Sequence, residues 1–148
     1  MPADYRIHPA SQLIVSRAHG IFTFAEMRAH ILGMASDPAF DADFSHLLDG
    51  RDIDVLEVTS EQMVELASIG SVKPSSRRAL VAGRTCVYGL FRMYQAYRTS
   101  LGDTGVRVFS SVAEGIEWLD LEDADDSLDA LAYSRPPRWV AGDSRAFK

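Results

Sequence analysis

The side chains of this sequence that could do chemistry are a lone cysteine, four histidines and a cluster of carboxylates. Cys86 follows Thr85 at a predicted helix start, where the helix dipole can lower a thiol pKa and create a nucleophile. The alternative is a small buried residue that packs the helix onto a sheet. Asp49, with Asp52 or Asp54, lies at the C-terminal end of a predicted strand, where ligands of open α/β sheets tend to bind. Solvated or capping carboxylates are the alternative interpretation there.

The histidine pattern does not predict a metal site. No two of the histidines are separated by three or four residues, and no His-Glu-x-x-His string occurs, although the rings could still converge in space. The histidines are His8, His19, His30 and His46. A Gly-x-Ser-x-Gly elbow is also missing, so no hydrolase of that kind is indicated. We therefore predict no catalytic residues, no metal and no cofactor.

One segment does suggest an anion site. Residues 83–89 begin and end with glycine but lack the lysine that closes a phosphate-binding loop. Arg84 and Thr85 nevertheless stand at a predicted helix start, whose free N–H groups can hold an anion. The following helix is rich in aromatic residues, which suits a protein contact or an apolar pocket, with plain core packing as the alternative. The candidate ligand or partner surface is Arg51, Arg84, Thr85, Tyr88, Arg92 and Tyr94.

Apolar periodicity predicts the elements that would position these residues. Strands are expected at 5–8, 13–18, 45–49, 78–82 and 106–109, with the first two forming a hairpin and 50–54 forming a loop. The first helix is expected from Thr23, which a Thr-x-x-Glu capping box marks as its start, to Asp37, and the second helix after Thr59 or Ser60. The third is expected from Thr85 to about Leu101. The fourth is expected after Ser110 or Ser111 and up to Leu119, with a second capping box from Ser111 to Glu114. The order ββαβαβαβα predicts an α/β fold, with a mainly parallel mixed sheet that has an N-terminal antiparallel hairpin.

Composition and charge limit the class of protein. The chain has 148 residues, which suggests one domain at 1–119, and an acidic, irregular tail is expected at 120–148, anchored by Trp139 and Phe147. The start lacks the features of a signal peptide, no apolar run could cross a bilayer, and the single cysteine indicates a cytoplasmic protein. A net charge of −6 argues against nucleic acid.

The charges are divided along the chain. Residues 37–65 hold nine acidic side chains and one basic, whereas 73–107 hold seven basic and one acidic. The simpler interpretation is two solvated faces. Complementary faces could also orient a partner or a second copy, so we predict a homodimer.

Five strings of the sequence point to a known family. They are Leu47-Leu48-Asp49-Gly50-Arg51-Asp52, Arg78-Ala79-Leu80-Val81-Ala82, Tyr88-Gly89-Leu90-Phe91-Arg92-Met93-Tyr94, Val106-Arg107-Val108-Phe109 and Ala113-Glu114-Gly115-Ile116-Glu117-Trp118-Leu119. In this order and spacing they resemble the STAS superfamily of anti-sigma-factor antagonists. The likeness is greatest to the branch named for the sporulation antagonist, which is also compared with CRAL-TRIO lipid-transfer domains. The resemblance covers residues from about 5 to 119 and implies a STAS-like fold.

One departure from that family bears on function. The resemblance implies a phosphorylated serine in an Asp-Ser-Ser-Gly-like element after the central strand, and this sequence lacks the element. Thr59 and Ser60 occupy a similar place at a helix start, where the helix dipole would favour a phosphate, although capping also explains both. The sequence therefore predicts a non-enzymatic regulatory or protein-interaction module. The alternative is a carrier or sensor of a small apolar or anionic, lipid-like ligand.

Overall fold

The computed structural model describes residues 2–70 and 76–120 and places the helices on a five-stranded mixed sheet. The strands are β1 (Ala3–His8), β2 (Leu13–Thr23), β3 (Ser45–Glu57), β4 (Arg78–Ala82) and β5 (Val106–Phe109). The helices are α1 (Phe24–Ala35), α2 (Ser60–Ala67), α3 (Thr85–Ser100) and α4 (Val112–Leu119). The predicted α/β class and the order ββαβαβαβα are confirmed. The expected tail, with its anchors Trp139 and Phe147, lies outside the described residues from 121 onward.

The strand order explains how the helices are distributed. The strands follow the sheet in chain order, β1 antiparallel to β2 and the others parallel. Right-handed crossovers between sequential parallel strands carry every connecting helix to the same face of a sheet. The connecting helices α1, α2 and α3 pack with one hydrophobic cluster, whereas α4 packs with a second cluster across β3, β4 and β5.

Side-chain alternation along each strand assigns residues to the two faces. Register pairs align Ile14, His46, Arg78 and Val106 in one row across the sheet. The next row on the same face consists of Ser16, Leu48, Leu80 and Val108. Both rows lie toward the amino ends of the parallel strands and face α1 and α3.

The predicted loop at 50–54 is wrong, because β3 continues through it to Glu57. Gly50 is the last residue of β3 with a register partner on β4. After Gly50, β3 pairs only with β2 among the described strands. The strand β2 is also longer than predicted, because it extends to Thr23 rather than ending at residue 18. Ile53 and Leu56 are buried while the polar residues of this extension face outward. A register shift near Gly20, whose φ is +68°, accommodates a bulge.

The helix starts confirm most of the capping predictions. Thr23 and Glu26 form a reciprocal capping box on α1, and Thr59 forms one with Gln62 on α2. At the start of α4, Ser111 Oγ accepts a hydrogen bond from the Glu114 N–H, which is one of the two bonds of the predicted capping box. The predicted Thr85 cap is wrong: α3 begins one residue earlier, with Arg84 as its N-cap and without a side-chain capping bond.

Candidate functional site

An apolar cavity lies between α1, α3 and the sheet, and it encloses about 140 Å³. Its floor is formed by the two rows of strand residues, its roof by α1, and its mouth by residues 40–44 in the connection from α1 to β3. The apolar lining residues are Ile14, Phe22, Met27, Ile31, Met34, Phe40, Ala42, Phe44, Leu48 and Leu80. The polar ones are His30, Asp41, His46, Arg78 and Tyr94.

Two of the lining histidines converge on a buried serine. Ser16 Oγ lies 2.8 Å from His46 Nε2 and 3.0 Å from His30 Nε2, and 3.9 Å from the sulfur of Met34. Ser16 has no exposed surface. A hydroxyl has one proton, so it can donate to one imidazole and accept from the other. The cluster thereby couples β2, β3 and α1 at the cavity floor.

Burial keeps both imidazoles neutral. Desolvation lowers the pKa of His30 to about 4, and the rings of Tyr5 and Phe22 pack edge-on against it. Desolvation also lowers the pKa of His46 to about 3, with further lowering from His30 and from the positive charge of Arg78. At neutral pH the pair therefore contributes hydrogen-bonding groups and no charge.

An ion cluster borders the cavity beside His46. Asp103 has no exposed surface and accepts hydrogen bonds from both terminal nitrogens of Arg78 and from Arg98 Nε at 2.8 Å. The Gly105 N–H adds a further bond to Asp103 Oδ1 at 3.0 Å. Burial would raise the pKa of the Asp103 carboxyl, but these bonds outweigh it and hold that pKa below its usual value. Asp103 therefore stays ionised and fixes both guanidinium groups.

The mouth of the cavity is held by contacts from the connection that follows α1. Tyr5 Oη donates to Asp37 Oδ2 at 2.8 Å, which ties β1 to this connection. The Asp37 and Asp41 carboxylates each accept the backbone N–H two residues on, at 2.9 Å, which sets the turns of the segment. These turns place Phe40 and Phe44 against the cavity.

The predicted ligand or partner surface does not form one site. Tyr94 lines the apolar cavity, while Tyr88 and Arg92 line a polar groove along β5. Arg84 and Thr85 are exposed at the start of α3, where Arg84 pairs with Asp54 at 3.0 Å.

The remaining residue of that surface, Arg51, lies within β3. Arg51 is tied to Asp49 by bonds of 2.9 and 2.8 Å. Asp49 is buried in this pair, whereas Asp54 is exposed and pairs with Arg84. Thr59 and Ser60 are exposed at the start of α2, where the Thr59 hydroxyl accepts the Gln62 N–H at 3.1 Å.

Cys86 is exposed, so the expectation of a buried packing residue is wrong. The buried stripe of α3 runs through Val87, Phe91 and Arg98. Cys86 lies one residue, and hence about 100° of helix rotation, away from that stripe. Met93, two residues after Phe91, and Leu101, which follows the last residue of α3, are also exposed.

The histidine–serine cluster is the part of the site that sequence spacing missed. His30 and His46 lie on different elements, so only the tertiary fold brings them together. A signal was present nonetheless: His30 is three residues after Met27 and four before Met34, which places it on the buried face of α1. Within the described residues, no group of three or more histidine, cysteine or acidic side chains is arranged to hold a metal.

Comparison with protein-family models, with curated proteins and with solved structures gives no match for this chain. Membership of the STAS superfamily therefore stays a prediction, as do the cytoplasmic location and the homodimer. In the described part of the chain, no helix has the length and apolar character needed to cross a bilayer.

Proposed function

We propose that this chain is a non-enzymatic regulatory module that binds a small, largely apolar molecule in the cavity between α1 and the sheet. The observation that carries the proposal is the cavity itself, in which ten of the fifteen lining residues are apolar. Apolar cavities of about 150 Å³ in other proteins take up molecules the size of benzene. The volume of about 140 Å³ therefore suits a single ring or a short hydrocarbon chain.

The burial of Ser16 supports binding rather than turnover. Its hydroxyl lies 2.8 Å from His46 Nε2, which is the spacing of a nucleophile and its general base. The hydroxyl is completely buried and is also bonded to His30 on α1. Ser16 is also not among the residues that line the cavity, so a molecule bound there would not contact its hydroxyl. We therefore assign the cluster the role of fixing the cavity floor and of holding α1 onto the sheet.

The placement of the cavity supports a regulatory role. A bound molecule would contact three units at once, namely α1, the mouth residues 40–44 and Tyr94 on α3. The position of the mouth would then depend on occupancy, because Phe40 and Phe44 close over the same space. A partner protein that binds the mouth residues in only one of their positions would then respond to the bound molecule, as the regulatory function predicted from the sequence requires.

The test uses toluene as the probe and two matched variants. Ala42→Phe places a ring at the mouth of the cavity, whereas Ala29→Phe adds the same ring on the exposed side of α1. A ligand that binds only the folded chain raises its melting temperature. We expect toluene to raise the melting temperature of the parent chain and of Ala29→Phe, and to leave Ala42→Phe unchanged. An unshifted parent chain, or equal shifts in all three proteins, would contradict the proposal.

A further inference from the structure

The part of the cavity that is lined by His46, Arg78 and Tyr94 carries a net positive charge. Arg78 lies in register with His46 on the neighbouring strand, so the two side chains stand next to each other on the cavity floor. Arg78, Arg98 and Asp103 together have two positive charges and one negative charge, and a guanidinium does not lose its proton in proteins. The neighbouring imidazoles are neutral at pH 7 and do not change this balance.

Arg78 has bonding capacity that Asp103 does not use. Both terminal nitrogens of the guanidinium bond the carboxylate, but its Nε–H is buried and has no hydrogen-bond acceptor among the described residues. Buried donors are almost always paired, so an unpaired one next to a cavity indicates where an acceptor is favourable. Small adjustments of the side chain, which is 18% exposed, would present this edge to a ligand.

Tyr94 adds a neutral donor on the same side. It lines the cavity from α3, and burial raises the pKa of its hydroxyl, so the group stays protonated at neutral pH. The acidic side chain that lines the cavity is Asp41, which is exposed at the mouth where water screens its charge. The interior thus combines an apolar wall with a cationic and hydrogen-donating end.

These features point to one class of ligand. We propose that the cavity takes a small apolar monocarboxylic acid, with its carboxylate toward Arg78 and Tyr94 and its hydrocarbon part between α1 and the sheet. The inference rests on the proposed function and narrows it. A neutral hydrocarbon would fill the same volume but would leave the cationic end without an acceptor, whereas a carboxylate supplies acceptor oxygens and balances the charge.

The experiment compares three probes of nearly equal size: toluene, benzamide and benzoate. Dissociation constants are measured by calorimetric titration of the parent chain at pH 7. Hydrogen bonds that involve a charged group are stronger than neutral ones by enough to give about a tenfold difference in affinity. We expect benzoate to bind about tenfold more tightly than benzamide. Equal or tighter binding of benzamide would overturn the acid class while leaving the proposed function in place.

Two variants locate the carboxylate. Tyr94→Phe removes only the hydroxyl and is expected to weaken benzoate severalfold while toluene binding stays the same. Arg78→Met is expected to abolish the preference for benzoate over benzamide, and Tyr94→Phe still tests the site if the arginine variant fails to fold. An unchanged benzoate affinity in Tyr94→Phe would refute the assigned position of the carboxylate. Failure of all three probes to bind the parent chain would instead refute the proposed function.

Discussion

Lowering the pH from 7 to 5 is expected to destabilise the folded chain by about 4 kcal/mol, because two imidazoles are buried as neutral bases. The usual histidine pKa is 6.5, and burial lowers that of His30 to about 4 and that of His46 to about 3. Between pH 4 and 6.5 the unfolded chain therefore binds more protons than the folded chain. The stabilisation is complete above pH 6.5 and is lost as the pH falls toward the folded-state values.

The magnitude follows from the width of that pH window. Each pH unit below 6.5 lowers the free energy of unfolding by about 1.4 kcal/mol per imidazole, for as long as the ring stays neutral in the folded chain. The roughly 1.5 units down to pH 5 therefore cost about 2 kcal/mol for each of the two rings. Native domains are stable by about 5–15 kcal/mol in total, so the loss is large enough to measure. The carboxyl groups whose pKa values are lowered, Asp37 and Asp103, contribute at a pH below this window.

The assay is urea unfolding followed by circular dichroism at pH 7, 6 and 5 and at constant ionic strength. The His46→Gln variant is expected to be less stable than the parent chain at pH 7. Between pH 7 and 5, its free energy of unfolding should fall by about 2 kcal/mol less than that of the parent chain, because glutamine does not titrate. His30→Gln should behave in the same way. His19→Gln, outside the cavity lining, is the matched control for replacing a histidine by glutamine. The pKa of His8 is also lowered by burial, so a small dependence should persist when both cavity histidines are replaced. An undiminished pH dependence in that double variant would refute the reasoning.

Two further predictions concern the scaffold, and both are checked by urea midpoints at constant m-value. Asp103→Asn should lower the free energy of unfolding by about 3 kcal/mol or more, because it leaves two guanidinium groups without their buried carboxylate. The exposed control Asp54→Asn should lower it by about 1 kcal/mol or less, and similar losses in the two variants would contradict the role assigned to Asp103. Gly83→Ala should destabilise the chain, because the added Cβ would overlap the Arg51 carbonyl oxygen. Gly89→Ala, inside α3 and with open space around the added Cβ, should raise the free energy of unfolding by about 1 kcal/mol. A gain in stability at both positions would contradict the packing described at Gly83.

The sequence predicted the elements well where local rules decide the structure. The capping box of α1 is a contact between residues three apart, and it forms as expected. The end of β3 could not be predicted in this way. Its polar residues resemble a loop, but β2 supplies a partner strand, and Ile53 and Leu56 of that extension are buried. Pairing between distant segments outweighed the local composition there.

The candidate site was predictable only in part. Tyr94 was selected from the aromatic pattern of its helix, and it does line the cavity. The meeting of His30, Ser16 and His46 depends on how α1 crosses the sheet, which no sequence spacing specifies. The sequence also directed attention to the carboxyl ends of the strands, whereas the cavity lies toward their amino ends. The fold class therefore did not indicate where the cavity would form.

The methionine methyl groups offer the most direct test of ligand binding in the cavity. Met27 and Met34 line it, whereas Met63 is buried in the core outside the lining and Met93 is exposed on α3. The measurement is a toluene titration of the chain labelled with ¹³C at the methionine methyl groups, followed by NMR. The proposed function predicts saturable shifts at Met27 and Met34, with Met63 and Met93 unchanged. Unmoved signals at Met27 and Met34, or shifts of equal size at Met27, Met34, Met63 and Met93, would contradict it.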